Sequence, residues 1–258
     1  MTFRSSAIAS SSTGGNLTAT PSGVAANDYL GGWHSRDLSL GSPPTYPVGW
    51  TERADLANSS PDGHRSFYFD KDTATGSDSF TVTDGEVNHN SLICAAWSGR
   101  KNAAPRTAMQ TTVDANSNTT PVSASFTGVT AVVGDDIAVF MLTDQTVNAD
   151  RWTFSTIAGY TERQDGVAVD WVSGYALDTL DNASAGATGS LASTITRDSG
   201  SGNAGYRGIV VAIAADPVPK PVRSRSRFNL QQMSDDEDEG RFNELDVRNW
   251  FREALCLT

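Results

Sequence analysis

Twice, 110 positions apart, the chain writes nearly the same five residues: Gly49-Trp50-Thr51-Glu52-Arg53 and Gly159-Tyr160-Thr161-Glu162-Arg163. The surroundings recur as well. An apolar strand precedes each phrase, opening with Asn27-Asp28-Tyr29-Leu30 in the first case and Asp135-Asp136-Ile137-Ala138 in the second. An aromatic strand follows each, Phe67-Tyr68-Phe69 and then Trp171-Val172-Ser173-Gly174-Tyr175. Each half then passes through a small-residue loop (Ala74 to Ser77, Ala185 to Gly189) and a Thr-rich strand. The halves close on Leu92-Ile93-Cys94-Ala95-Ala96-Trp97 and Ile209-Val210-Val211-Ala212-Ile213-Ala214. A repeat of this period dictates two copies of one strand unit, here a unit of four or five strands.

Short runs rich in Val, Ile, Thr and aromatics alternate with Gly, Ser, Asn, Asp and Pro clusters, and no window before Pro217 carries capped helical periodicity. The closing strands lack alternation and read as buried on both faces, whereas Ser79-Phe80-Thr81-Val82-Thr83 and Thr107 to Val113 alternate and read as half exposed. The pattern predicts an all-β chain, a two-sheet jelly-roll-like sandwich built from two pseudo-repeats, 16–105 and 106–216. Half a sandwich cannot cover its own apolar face, so the halves should pair in one domain over 16–216. The Ser-rich stretch 1–15 reads as a flexible N-terminal arm. It lacks the apolar core of a signal peptide, and no run approaches a membrane span, which predicts a soluble chain made in the cytoplasm. Cys94, inside an apolar run, and Cys256 suggest a small buried hydrophobe and a reducing origin, not a disulfide framework.

After Ala215 the texture changes. Three prolines in Pro217-Val218-Pro219-Lys220-Pro221 specify a stiff extended linker. Arg223, Arg225 and Arg227, followed by Phe228, then oppose the acidic block Asp235-Asp236-Glu237-Asp238-Glu239. Farther on, Val247, Trp250, Phe251 and Ala254 fall on one helical stripe with Leu255 beside them. A helix this short is marginal alone in water, so residues 217–258 read as a linker, a charged arm and a docking helix whose apolar face needs a partner. The net charge is -11; seven basic and eight acidic residues follow position 216, leaving twelve and twenty-two before it. An acidic body of this kind is a poor nucleic-acid surface.

Several chemical motifs fail on context. Gly200-Ser201-Gly202-Asn203-Ala204-Gly205 matches a dinucleotide fingerprint in letters, but Tyr206 to Val211 after it is a strand where the motif needs a helix N-terminus. Asp70-Lys71-Asp72 with Gly76 and Asp78 resembles part of a calcium loop, yet Ala74 stands at a ligand position and no bidentate Glu closes it. His34, His64 and His89 have no metalloprotease spacing, and no Gly-x-Ser-x-Gly elbow occurs. Nothing selects a carboxylate pair for glycoside cleavage. The reading is therefore non-enzymatic, with no catalytic residue, metal or cofactor. Among the aromatics, Tyr46 and Trp152 are the candidates for stacking on a sugar, which requires exposed rings, while Trp50 and Tyr160 share a packing role. The polar Thr-Glu-Arg that follows offers one surface ion pair of little energetic weight.

The order of Val24-Ala25-Ala26-Asn27-Asp28 or Val132-Val133-Gly134-Asp135-Asp136, an apolar strand, Gly-Trp-Thr-Glu or Gly-Tyr-Thr-Glu, an aromatic strand and an Ala-rich closing strand resembles the β-sandwich modules of tailed-bacteriophage virion proteins, both head-decorating and tail-fibre-like, over about residues 16 to 215. The resemblance implies assembly and display in a virion put together in the host cytoplasm. It implies capsid, collar or tail proteins as partners, and homo-oligomers, for which the symmetry of such particles suggests a trimer. A short chain without long fibrous repeats fits decoration or cement better than a fibre. The alternative is a carbohydrate-binding tail or collar module that takes a host-surface glycan. On this reading Arg223, Arg225, Arg227, Phe228, Val247, Trp250, Phe251, Ala254 and Leu255 form the partner-binding set.

Overall fold

The computed structural model describes residues 2–11, 15–37, 44–57, 64–84, 90–99, 105–119, 121–144, 152–167, 174–197 and 203–216. Residues 1–217 form one compact unit, and 218–258 are assigned to a second unit outside the described residues, together with every partner-binding residue named above.

The first half contains β1 (Thr2–Ser11), β2 (Gly15–Ala19), β3 (Tyr29–Asp37), β4 (Thr51–Ala57), β5 (His64–Lys71), β6 (Phe80–Asp84) and β7 (Asn90–Ser98). The second contains β8 (Arg106–Thr119), β9 (Val122–Phe126), β10 (Thr130–Ala131), β11 (Asp136–Asp144), β12 (Trp152–Phe154), β13 (Thr161–Val167), β14 (Gly174–Leu180), β15 (Gly186–Ala187), β16 (Leu191–Arg197) and β17 (Asn203–Ile213). All pairings among them are antiparallel, so the chain is all-β as its turn-punctuated pattern requires.

The repeat extends to topology. The first half forms a five-stranded sheet in the order β1-β7-β3-β5-β4, and the second forms one in the order β8-β17-β11-β14-β13. Strand for strand the two orders are the same. A small sheet accompanies each, β2-β6 in the first half and β9-β16 extended by β12 in the second, and β10 pairs with β15. The expected two sheets are thus the large pair alone, and small sheets flank them. The reason lies in the two-faced apolar strands. In β7, Leu92 and Cys94 pack under the small sheet with Phe80 and Val82, while Ile93, Ala95 and Trp97 face the other half. In β17, Val210 and Ala212 turn toward the small sheet with Ile195 and Phe126, while Ile209, Val211 and Ile213 face the seam. A sheet apolar on both faces needs a cover on each.

At the seam, Trp33 stacks on Phe140 with centroids 6.2 Å apart and 3° between planes, and Tyr68 lies 5.4 Å from the same ring. Gly31 makes room there, since a Cβ on it would stand 2.8 Å from the Tyr68 hydroxyl and 3.3 Å from Phe140. Alongside, Phe3 of β1 lies under the Arg163 guanidinium of β13 at 4.3 Å, which puts the edge strand of one half over the edge strand of the other.

Residues 2–11 are a strand and not a free arm. β1 pairs with β7 from Thr2 opposite Ser98 to Ser11 opposite Asn90, with one bulge near Arg4. Small Ser and Ala side chains suit an edge strand, with Phe3 edge-on to Trp97 and Ala7 and Ala9 against the core. Asp216 donates its backbone N–H to the Gly99 carbonyl at 2.9 Å, so the first and last described residues of the unit lie side by side.

The shared seam predicts that Phe140→Ala destabilises the unit as a whole, by about 3–5 kcal/mol for a buried aromatic, with the two halves still unfolding in one transition. Denaturant titration followed by tryptophan fluorescence and by far-UV circular dichroism checks this through the coincidence of the two curves.

Candidate functional site

The repeated phrase is a structural device. Gly49 and Gly159 adopt φ of 86° and 84°, a left-handed conformation that a Cβ penalises, and each turns the chain into the next strand. A bulge follows at the same place in both halves, between Glu52 and Ala54 and between Glu162 and Gln164. The bulge redirects the arginine. Arg53 donates to Asp70 at 2.7 Å with Asp72 at 3.9 Å, and Arg163 donates to Thr179 Oγ1 at 2.7 Å and to Asp181 at 2.9 Å. Each arginine therefore fastens its edge strand to the equivalent residues of the neighbour. The loops before β3 and β11 match too: Asp28 accepts from the Ala25 amide at 2.8 Å, and Asp135 from the Val132 amide at 2.9 Å.

The Arg53 pair is more than a surface ion pair, because the Asp70 side chain is 0 % exposed. Asp70 also accepts from Arg106 of the second half at 3.1 Å and from the Tyr29 hydroxyl at 3.3 Å, with Tyr29 and Tyr68 hydroxyls 3.0 Å apart. Burial pushes the Asp70 carboxyl up, and Arg53 opposes that shift. Lys71 pairs with Asp78, whose carboxylate also takes Thr75 Oγ1 at 3.0 Å and the Gly76 amide at 3.3 Å and is held below the usual range. The fragment that resembles a calcium loop is thus an Asp-closed turn beside an arginine-bound carboxylate. Among the described residues no group of three or more His, Cys, Asp or Glu is placed to hold a metal ion.

Of the two sugar-stacking candidates, burial excludes Trp152. Trp152 is 0 % exposed in β12 and packs in the core of the second half. Tyr46 is half-buried, its ring 3.9 Å from Phe69 and its hydroxyl 3.1 Å from His34 Nδ1. His34 itself is buried, bonded also to Asn90 at 3.1 Å, and burial lowers it to about 4, so it is neutral near pH 7. In the Gly-rich stretch, Asn203 to Gly205 open β17, in keeping with a strand in place of a nucleotide-binding helix.

Differences between the halves mark where function can reside. In the first half Trp50 and Tyr46 pile on Phe69 and Phe80, with the Trp50 and Phe80 centroids 4.7 Å apart. By register, Tyr160, Asp178 and Leu191 stand in the second half where Trp50, Phe69 and Phe80 stand in the first. The smaller side chains leave an open groove of about 560 Å³ lined by Ile157, Ala158, Tyr160, Leu180, Leu191 and the Asn182–Thr188 loop. Behind its wall, Asp178 is 1 % exposed and accepts from the Ile157 amide at 2.7 Å through one oxygen, while the other has no partner. Asp165 and Asp136 also have one buried oxygen each without a partner. Burial is the main cause that pushes Asp136, Asp165 and Asp178 up to about 6, and Glu162 adds to the rise at Asp165 and Asp178.

Comparison with known protein families, characterised proteins and solved structures returned no match.

Sequence reasoning missed the Asp70 hub and the Asp165–Asp178 corner. The aligned arginines of the two phrases were a usable signal for the first. For the second the signal is Asp178, a lone carboxylate in the apolar run Tyr175 to Leu180.

Asp70→Ala leaves Arg53 and Arg106, each 26 % exposed, without their shared anion and removes a tie between the halves. An expected loss of about 2 kcal/mol, below the roughly 3–5 kcal/mol of a fully buried pair because both cations reach solvent, is measurable by urea unfolding. Stability should also depend on pH through the second half. A carboxyl whose folded pKa is raised from 3.8 to about 6 binds protons more tightly folded than unfolded. Its contribution is therefore full below about pH 4 and is lost as pH rises through about 6. Asp136→Asn, Asp165→Asn and Asp178→Asn together should flatten the fall in melting temperature between about pH 5 and pH 7.5.

Proposed function

We propose that the protein is a non-enzymatic structural component of a tailed-bacteriophage virion, a capsid decoration or cement protein, or a fibre-like one, whose two halves together form one jelly-roll-like, rigid displayed body. The observation that carries the reading is the placement of the chain ends. Thr2 is paired with Ser98, and Asp216 is bonded to Gly99, so the two described ends of the body lie together. Strands β3, β4, β6, β11, β13 and β16 run toward the opposite end, and the segments that follow them lie outside the described residues. A body whose two described ends lie together suits attachment to a particle surface. The repeat-equivalent charges support the same reading, because Arg53, Arg163, Asp28 and Asp135 are each committed to holding strands and turns in place. The partners in this reading are neighbouring virion proteins, engaged through residues 217–258 with Trp250 and Phe251 as anchors. The glycan-binding alternative no longer has Trp152 as a stacking ring, and its other ring, Tyr46, is half-buried against Phe69.

Immunogold labelling of purified particles tests the reading. Label on the capsid supports decoration, label on the tail or collar supports a fibre, and unlabelled particles overturn the virion assignment. A chain truncated after 216 should fold with an unchanged circular dichroism spectrum and fail to enter particles; its normal incorporation would remove the docking role of the C-terminal segment.

A further inference from the structure

The turn Ser155–Tyr160 forms one wall of the open groove and is fastened to the sheet by two carboxylates. Thr156 Oγ1 donates to Glu162 at 2.9 Å, and the Ile157 amide donates to Asp178 at 2.7 Å. Glu162 and Asp178 are directly opposed across the β13–β14 ladder, and Asp165 lies farther along the same strand. The three are close enough that Glu162 raises the proton affinity of both aspartates, and Asp178 raises that of Asp165. Like charges opposed across a ladder repel.

The first half shows what the second has given up. Asp165 corresponds to Asp55, which is paired with Arg65, its Nε at 2.7 Å. By register the Arg65 position is Gly174 in the second half. A Cβ on Gly174 would stand 2.4 Å from the Trp152 carbonyl oxygen, so β12, packed there, excludes any side chain and with it the neutralising arginine. Asp178 corresponds to Phe69 of the aromatic pile. The other charged and titratable groups around the corner offer no cation in exchange. Arg163 is turned by the bulge to Thr179 and Asp181, and Arg197 of β16 lies over Trp152. Tyr160 and Tyr175 contribute hydroxyls, β12 carries no ionisable side chain, and β11 presents Val139 opposite Asp178.

We propose that Asp165 and Asp178, beside Glu162, are a proton-operated clasp on the turn Ser155–Tyr160, holding this wall of the groove against β13 and β14 when protonated and releasing it when both are ionised. Ionisation places charge on buried oxygens that have no donor, and the corner must then admit water or move apart. Protonation removes the repulsion and supplies a donor for a neighbouring oxygen. The groove is therefore narrower and more ordered in acid and looser at neutral pH, while the first half, with Phe69 and the Asp55–Arg65 pair at the equivalent positions, keeps only the exposed Glu52 of the three carboxyls unpaired by an arginine and is not clasped in this way.

Hydrogen exchange of the full chain, followed by mass spectrometry at about pH 5 and about pH 7.5 and corrected for the intrinsic rate, tests this locally. Peptides covering 152–162 should lose protection by roughly ten-fold at the higher pH, whereas the equivalent 44–52 should not change. Asp165→Asn with Asp178→Asn should abolish the difference. Equal protection of 152–162 at the two pH values, or an undiminished difference in the double variant, overturns the clasp. If the double variant does not fold, Glu162→Gln, at an exposed position, must shrink the difference by itself, and a full-sized difference there overturns the proposal equally.

Discussion

Everything in this fold depends on the seam between two five-stranded sheets that are apolar on both faces. A large sheet with Leu92 and Cys94 on one side and Ile93, Ala95 and Trp97 on the other cannot exist with only its small sheet for cover. The second half supplies the missing cover with Phe140, Leu177, Ile209 and Val211. Because the same order of strands meets itself across the seam, each half plays the part that a second copy plays in a homodimer. The hydrophobic contact sets the association, and polar groups at its margins fix the register. Asp70 ties Arg53 of its own half and Arg106 of the other, and the fully buried Arg207 donates to the Leu56 carbonyl at 2.6 Å.

Duplication gives the molecule an internal control. Where the two halves agree, as in the left-handed glycines, the bulges, the fastened arginines and the Asp-closed loops, the shared topology demands the residue. Where they differ, selection by packing has been relaxed or replaced. The replacement of Trp50, Phe69 and Phe80 by Tyr160, Asp178 and Leu191 is one such difference, and it coincides with an added strand, β12, and an added ladder, β10 with β15. One half is a closed, aromatic-filled sandwich, and the other has an open groove backed by acid.

Much of this was legible in the sequence, because a repeat with matched punctuation needs no long-range knowledge to be seen. The all-β class, the buried closing strands and the shared packing role of Trp50 and Tyr160 follow from local pattern. What failed did so for physical reasons. The Ser-rich start gave no apolar signal because an edge strand with small side chains buries little, although its backbone is fully engaged along β7. Trp152 read as a candidate exposed ring because its strand has only three residues, too short to show a period. The Asp70 hub joins residues far apart in the chain, and no spacing rule reports which buried carboxylate meets which arginine. The charged arm and the stripe of Val247, Trp250, Phe251 and Ala254 fall outside the described residues, so their part in the molecule rests on pattern alone.

The side-by-side placement of Thr2 and Asp216, next to Ser98 and Gly99, has a consequence for connectivity. Gly99 and Pro105, the described residues on either side of the link between the halves, accept from the Asp216 and Ala214 amides, close to Thr2 and Asp216. Joining the old ends and opening that link would yield a circular permutant in which the second repeat precedes the first, with every ladder and the seam preserved. No ladder and no contact of the seam therefore imposes the order of the halves along the chain.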